Sequence, residues 1–223
     1  YFFVARANRE PNRSNFVDAD PAGPQPVKET LLDYEAGYTL QASMYALHVN
    51  LYYMDYTDQL VLTGEINDVG SAVMTNVKDS YRTGLEISGK LLPFSWLRWD
   101  LNATFSSNKI KDFTGYVDNW DYWLEPDTEP YQIEEPLGTT DLAFSPAVIF
   151  NSQLQFEPLK SLQLGLVSHY VGRQFIDNTA SENRTLAPYL VHDLMCSYAF
   201  FPRFMKEISL QCKVSNLFNL AYE

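Results

Sequence analysis

Apolar and polar residues alternate without a slip through the middle of this chain. Leu97, Trp99, Leu101, Ala103 and Phe105 share one parity, while Arg98, Asp100, Asn102, Thr104 and Ser106 share the other. Such alternation puts the two sets on opposite faces of a β-strand, one dry and one wet. The segment before it does the same, with Leu85, Ile87 and Leu91 opposite Glu86, Ser88 and Lys90. The join between them, 92–96, is too brief for anything but a hairpin.

This unit recurs along the chain. Tyr34, Ala36, Tyr38 and Leu40 alternate with Asp33, Glu35, Gly37 and Thr39, and Tyr45, Leu47, Val49, Leu51 and Tyr53 face away from His48 and Asn50. Downstream, Phe150, Leu154 and Phe156 are set against Leu162, Leu164, Leu166 and Tyr170. A last hairpin sets Leu190, Leu194, Cys196, Tyr198 and Phe200 against Ile208, Leu210, Cys212, Val214 and Phe218. In the opening strand Phe3 and Ala5 are the expected dry positions. The count is about nine strands.

Long and short connections take turns. Long polar loops are expected at about 9–27, 64–71, 112–145 and 177–187, and short turns at about 41–44, 92–96, 157–161 and 201–206. If consecutive strands are antiparallel neighbours, all the short turns lie at one edge of the sheet and all the long loops at the other. That asymmetry, with strands long enough to cross hydrocarbon at a tilt, predicts an all-β fold: an antiparallel up-and-down transmembrane β-barrel. A soluble sandwich has short strands and no systematic loop asymmetry. The whole of 1–223 reads as one portion of one barrel domain.

Composition sharpens this picture. Aromatic residues make up 15% of the 223 positions, and bulky rings suit a pleated, half-buried surface. A formal charge of −12 argues against a nucleic-acid partner, whose phosphates would be repelled. No apolar run is long enough for a membrane helix, which says nothing against a barrel. Two cysteines make no disulfide framework or metal motif. The chain starts at Tyr1 inside an apparent strand, and the expectation is that it is a piece of something longer.

Four short motifs, in order, carry a resemblance. The closing Val214-Ser215-Asn216-Leu217-Phe218-Asn219 with Tyr222-Glu223 is similar to a "V-x-N-L-F-N-x-x-Y" signature. Asn76-Val77 with Arg82-Thr83-Gly84-Leu85-Glu86 resembles "N-V…G-x-E". Val27-Lys28-Glu29 with Tyr34-Glu35-Ala36-Gly37-Tyr38 resembles "L-K-P-E…Y-E-x-G", with Lys28 where that pattern has Pro. Ala7-Asn8-Arg9-Glu10-Pro11 resembles "F-R-x-P", and Leu220-Ala221 replace the usual charged pair before Tyr222. Together they resemble the C-terminal part of the barrel of TonB-dependent outer-membrane receptors. The resemblance implies a fragment of a barrel of about 22 strands with a plugged lumen. It implies a cell outer membrane location in a Gram-negative bacterium, contact with outer-membrane lipid, and an N-terminal plug domain absent from this chain. It also implies a TonB–ExbB–ExbD complex engaged through the missing part. The implied function is energised, non-enzymatic uptake of a scarce nutrient, first an iron-siderophore or related metal complex, with no cofactor. A SusC-like glycan importer, a secreted all-β carbohydrate-binding protein and a barrel-shaped outer-membrane enzyme are the rival readings.

Site expectations follow from position. Trp120, Tyr122 and Trp123 sit in the acidic, proline-broken stretch 112–145, where rings offer an apolar face with a polar handle to a sugar, catechol or macrocycle. Arg9 and Arg13 in the first long loop are candidates for an anionic ligand. His48, His169, Arg173 and Asp193 fall on the wet face by parity, which in a barrel is the lumen, whereas His192 falls on the dry face. The three histidines show no metal spacing. Ser168 and His169 are neighbours in one strand and point to opposite faces, so they form no catalytic pair, and no nucleophile–base constellation is expected. Cys196 and Cys212 are expected opposite each other on the dry face as free thiols, a cross-strand disulfide being strained there.

Overall fold

The computed structural model of the protein describes residues 1–19, 21, 23–67 and 69–222. Nine strands form one continuous antiparallel path: β1 (Phe2–Arg9), β2 (Glu29–Gln41), β3 (Tyr45–Ile66), β4 (Ala72–Phe94), β5 (Leu97–Asp118), β7 (Val148–Leu159), β8 (Leu162–Val171), β11 (Tyr189–Phe200) and β12 (Ile208–Val214). A tenth, β6 (Gln132–Asp141), pairs with the far half of β5. β7 pairs with the near half of the same strand, so β6 and β7 are one return pass broken at 142–147. Two-residue strands β9 (Gln174–Phe175) and β10 (Thr185–Leu186) make a separate small hairpin.

Register explains the two faces. Tyr34 lies opposite Tyr53, Leu51 opposite Leu85, Leu85 opposite Phe105 and Trp99 opposite Leu154. The same row continues through Leu154–Leu166, Leu166–Leu194 and Leu194–Val214. Directly opposed residues share a face, so one apolar face runs across the whole sheet. It is girdled at both edges. Tyr34, Tyr53 and Tyr81 form a row of rings toward the long loops, with centroids 6.5 and 6.0 Å apart. Toward the short turns, Phe94 stacks on Trp96 at 4.8 Å and Trp96 meets Phe156 edge-on at 5.4 Å. From Tyr81 to Leu91 a strand advances roughly 33 Å, and a tilt of about 40° reduces this to the ~25 Å apolar band of a barrel. A sheet with such a girdled face is built to cross a membrane.

The opposite face is polar and cross-linked. The Thr39 hydroxyl and His48 Nδ1 are 2.9 Å apart, Tyr1 donates to Asn50 at 3.0 Å, and Asn102 donates to Ser88 at 3.0 Å. In the opening strand the parity is the reverse of the expected one. Phe2 and Val4 pair with Ala36 and Tyr34 on the apolar face, while Phe3 and Ala5 pair with Glu35 and Asp33. The run Tyr1-Phe2-Phe3-Val4-Ala5 has no alternation to read, and the partner strand sets its register.

β3, β4 and β5 have 22, 23 and 22 residues, about twice what a membrane crossing needs. Their far halves stand clear of the girdle, and the buried core lies there. Ile110 and Phe113 are 0% and 1% exposed and pack with Val61 and Leu142, flanked by Val77 and Leu137. Positions three apart in a regular strand face opposite ways. Here Asp112 takes φ 48° and the β5–β6 register slips between Ile110 and Phe113, which brings both side chains into one cluster.

Several expected loops contain ordered structure. The first holds helix α1 (Arg13–Asp18), closed by a reciprocal Asn12–Asn15 capping box. The stretch expected as an irregular loop over 112–145 is mostly the tip of the β5–β6 hairpin. Its carboxylates and Pro136 read as loop, but Pro136 sits opposite Thr114 on a strand whose other side is unpaired in the sheet path, where a missing N–H costs nothing.

Candidate functional site

The tips of the β3–β4 and β5–β6 hairpins lean together and flank an open-mouthed cavity of about 550 Å³. Glu65, Ile66, Asn67 and Gly70 line it from one hairpin, and Tyr116, Tyr122, Trp123, Pro130, Tyr131 and Gln132 from the other. Gln132 joins the two tips: its side-chain oxygen accepts from the Ile66 amide at 3.0 Å, and its amide nitrogen donates to the Gly64 carbonyl at 3.0 Å and to Asp118 at 3.2 Å. Gly64 adopts φ 91°, and a Cβ there would lie 2.7 Å from the Tyr116 carbonyl oxygen, so only glycine allows this approach.

The aromatic wall is ordered by a short 3₁₀ turn, Trp120–Trp123, whose Asn119 cap accepts from the Asp121 amide. Buried Asn119 also donates to Glu129 and to the Pro130 carbonyl, pinning the loop's two ends together. Tyr122, Trp123 and Tyr131 then meet edge to face, at 5.5, 5.3 and 6.3 Å between centroids. Tyr116 donates to Glu134 at 3.3 Å. Burial, with the Glu65 and Glu134 carboxylates beside it, pushes this phenol up to about 12, so it stays a hydrogen-bond donor. It lies seven residues beyond Lys109, the partner of girdle residue Tyr81, roughly 23 Å farther along the strand.

The expected site residues are not gathered in one place. Tyr122 and Trp123 line the cavity, whereas Trp120 projects from the same turn, 78% exposed, and is not part of the lining. Arg9 lies at the end of β1, where its guanidinium makes a two-pronged pair with Glu29 at 2.9 and 3.0 Å. Glu29 is itself buried and accepts from the Leu60 amide. Arg13 opens α1, exposed. His48, His169 and Asp193 share the polar face by register, opposite Thr39, Asn151 and Val167. His169 hydrogen-bonds Asn151, and Asp193 pairs with Lys213 at 2.8 Å. Arg173 lies past the end of β8, since the strand stops at Val171; it pairs with Glu182 and covers the Phe175 ring.

One contact escaped parity reasoning. Ser168 and His169 do not pair, but Ser168 and His192, opposite each other across β8 and β11, approach to 2.8 Å on the apolar face. This satisfies both polar groups where lipid would not. Cys196 and Cys212 are opposed across β11 and β12 and are free thiols. A second polar recess of about 330 Å³ lies on the polar face, between Glu35, Tyr52, Arg82 and Glu86 and the break in the return pass at Phe144 and Ser145. Arg82 donates to Ser145 there at 3.2 Å.

A girdled apolar face, a hydrogen-bonded polar face and a loop-end cavity define a segment of a membrane-spanning β-barrel. A family model described as "TonB dependent receptor-like, beta-barrel" matches residues 1–217. The chain belongs to that family. A search of curated sequences finds no match. Among solved structures it is similar to the copper transporter OprC (TM-score 0.73, 16% identity, covering 100% of this chain and 32% of that one). It is similar to the ferric yersiniabactin uptake receptor FyuA from Yersinia pestis (0.69, 16%, covering 99% and 30%). A mutant of the ferric enterobactin receptor PfeA from Pseudomonas aeruginosa also matches (0.64, 19%, covering 97% and 32%). The chain thus spans about a third of the length of these relatives. They share its fold; their names are those of uptake receptors and a transporter.

Proposed function

We propose that this chain is part of an outer-membrane TonB-dependent receptor that imports a scarce nutrient, an iron–siderophore or related metal complex. The observation that carries the reading is the pairing of a membrane-spanning face with an aromatic-walled cavity at the long-loop end of the sheet. The names of the relatives, two of them ferric-siderophore receptors and one a copper transporter, support the class of cargo. In this reading the cavity walled by Tyr122 and Trp123 meets ligand first, with Trp120 beside it on the same turn. Arg9, at the end of β1, and Arg13, opening α1, offer further contacts from the first strand and its loop. His48, His169 and Asp193 face the lumen, where an N-terminal plug of the same full-length protein packs, with Arg173 at the lumen's loop end. A TonB–ExbB–ExbD complex acting on that plug supplies the energy, and these residues carry no catalytic role.

The test is the location and import activity of the native full-length protein. Recovery in the outer membrane, a gel mobility that shifts on boiling, and iron-limited growth that needs both this receptor and TonB are the expected results. Recovery in the soluble fraction, or import that survives loss of TonB, overturns the reading.

A further inference from the structure

The charge around the tip cavity is one-sided. Residues 112–145 carry nine carboxylates and no lysine or arginine. Glu65 reaches the cavity from the facing hairpin, held by the Thr75 hydroxyl at 3.2 Å, and Glu134 holds the Tyr116 phenol behind the wall. Among the described residues that line the cavity there is no cationic side chain. The Tyr116 phenol is raised first by burial and then by the Glu65 and Glu134 carboxylates beside it. A polyanionic ligand entering here meets repulsion without a compensating donor pair.

The walls also offer what an organic cation needs. Tyr122, Trp123 and Tyr131 present ring faces and edges in three roughly perpendicular planes, with interplanar angles of 79, 87 and 78°. Aromatic faces attract ammonium groups through their quadrupole, more strongly as water is excluded. Ile66 and Pro130 add apolar wall for a ligand body. Among the described residues no three carboxylates, cysteines or histidines converge as a bare metal ion would require, so the rings rather than a ligand cage do the selecting.

We propose that the cavity between the two hairpin tips is a cation-accepting site, for a ligand carrying a protonated or quaternary amine. Its amine lies between Glu65 and the Tyr122–Trp123–Tyr131 rings, its body on Ile66 and Pro130. The site turns away polyanionic complexes. This deepens the uptake reading above and rests on it: the ligand is a metal complex or amine-bearing cargo of positive charge, in contrast to a trianionic tris-catecholate.

The experiment uses the purified full-length receptor in detergent and three probes. These are a ferric tris-hydroxamate with a pendant ammonium, the same complex with that amine acetylated, and a trianionic ferric tris-catecholate. Binding is followed by calorimetry at fixed salt. The expected order is ammonium over acetylated by about tenfold, with the tris-catecholate weakest, as loss of a cation–π contact and one carboxylate neighbour predicts. Glu65→Gln lowers ammonium binding about three- to tenfold and leaves the acetylated complex unchanged. Trp123→Leu, which removes one ring of the wall at a position 67% exposed, lowers both. Equal binding of all three, preference for the tris-catecholate, or binding of none overturns the proposal. TonB-dependent import of the tris-catecholate would overturn it while leaving the uptake reading intact. A receptor absent from the outer membrane would sink the uptake reading, yet the charge preference of the purified protein would still be measured.

Discussion

Replacing Phe113 with alanine should separate the protruding tip from the membrane-crossing sheet. The ring is 1% exposed and touches the cluster of Val61, Ile110 and Leu142. Transferring such a side chain out of water is worth roughly 2–3 kcal/mol, and the cavity left behind raises the cost of Phe→Ala to about 3–5 kcal/mol. At about 1.4 kcal/mol per tenfold, the opened tip becomes about a hundredfold or more populated. The ladder below does not use this cluster: residues 97–105 of β5 are held by β4 on one side and β7 on the other. Hydrogen exchange of the full-length receptor in detergent can read both regions at once. Amides in 109–118 and 132–141 should exchange about two orders of magnitude faster in Phe113→Ala, and those in 97–105 at the native rate. Heat-modifiable mobility should persist. Uniform acceleration along β5, or none at all, would refute the claim that the tip has its own core. Phe113→Leu, which keeps most of the volume, should show a small fraction of the effect.

Other substitutions probe the remaining links. Asp112→Gly should leave stability unchanged or slightly raised at its φ of 48°, while Asp112→Val should cost about 1–2 kcal/mol and speed exchange in the tip. Leu51→Arg, on the apolar face opposite Leu85, should cost about 2–4 kcal/mol in denaturant titrations in lipid, whereas Gln153→Arg on the polar face should cost less than about 1 kcal/mol. Tyr116 should ionise near 12 when tyrosinate absorbance is compared between the native protein and Tyr116→Phe. Its folded value lies above the ordinary value near 10, so the stability it contributes is complete below about 10 and is lost as pH rises through about 12. Glu134→Gln should bring that ionisation down, and no shift on this substitution would count against the electrostatic account.

By itself the sequence determined the membrane-crossing half of this protein. Strict alternation in β2 to β5, β7, β8 and β11 leaves one register that turns the apolar rows to lipid, with Ser168 and His192 satisfying each other on that face. A slip by one residue would turn every side chain to the wrong face. The strand count, the opposition of Cys196 and Cys212, and the polar-face positions of His48, His169 and Asp193 follow from that parity. Parity fails where the period breaks. Phe3 and Ala5 were unreadable in a run of apolar residues, and partner strand β2 decided them. Arg173 left the alternation when β8 ended two residues earlier. Beyond the girdle no lipid enforces alternation, so the tip is set by tertiary contacts. A positive φ at Asp112 unites Ile110 with Phe113. Gln132 ties hairpins 66 residues apart in sequence, and Gly64 lets β5 approach. The aromatic residues of the cavity were legible as residues. Their meeting with Glu65 across two hairpins was not, because sequence spacing carries no information about which tips lean together.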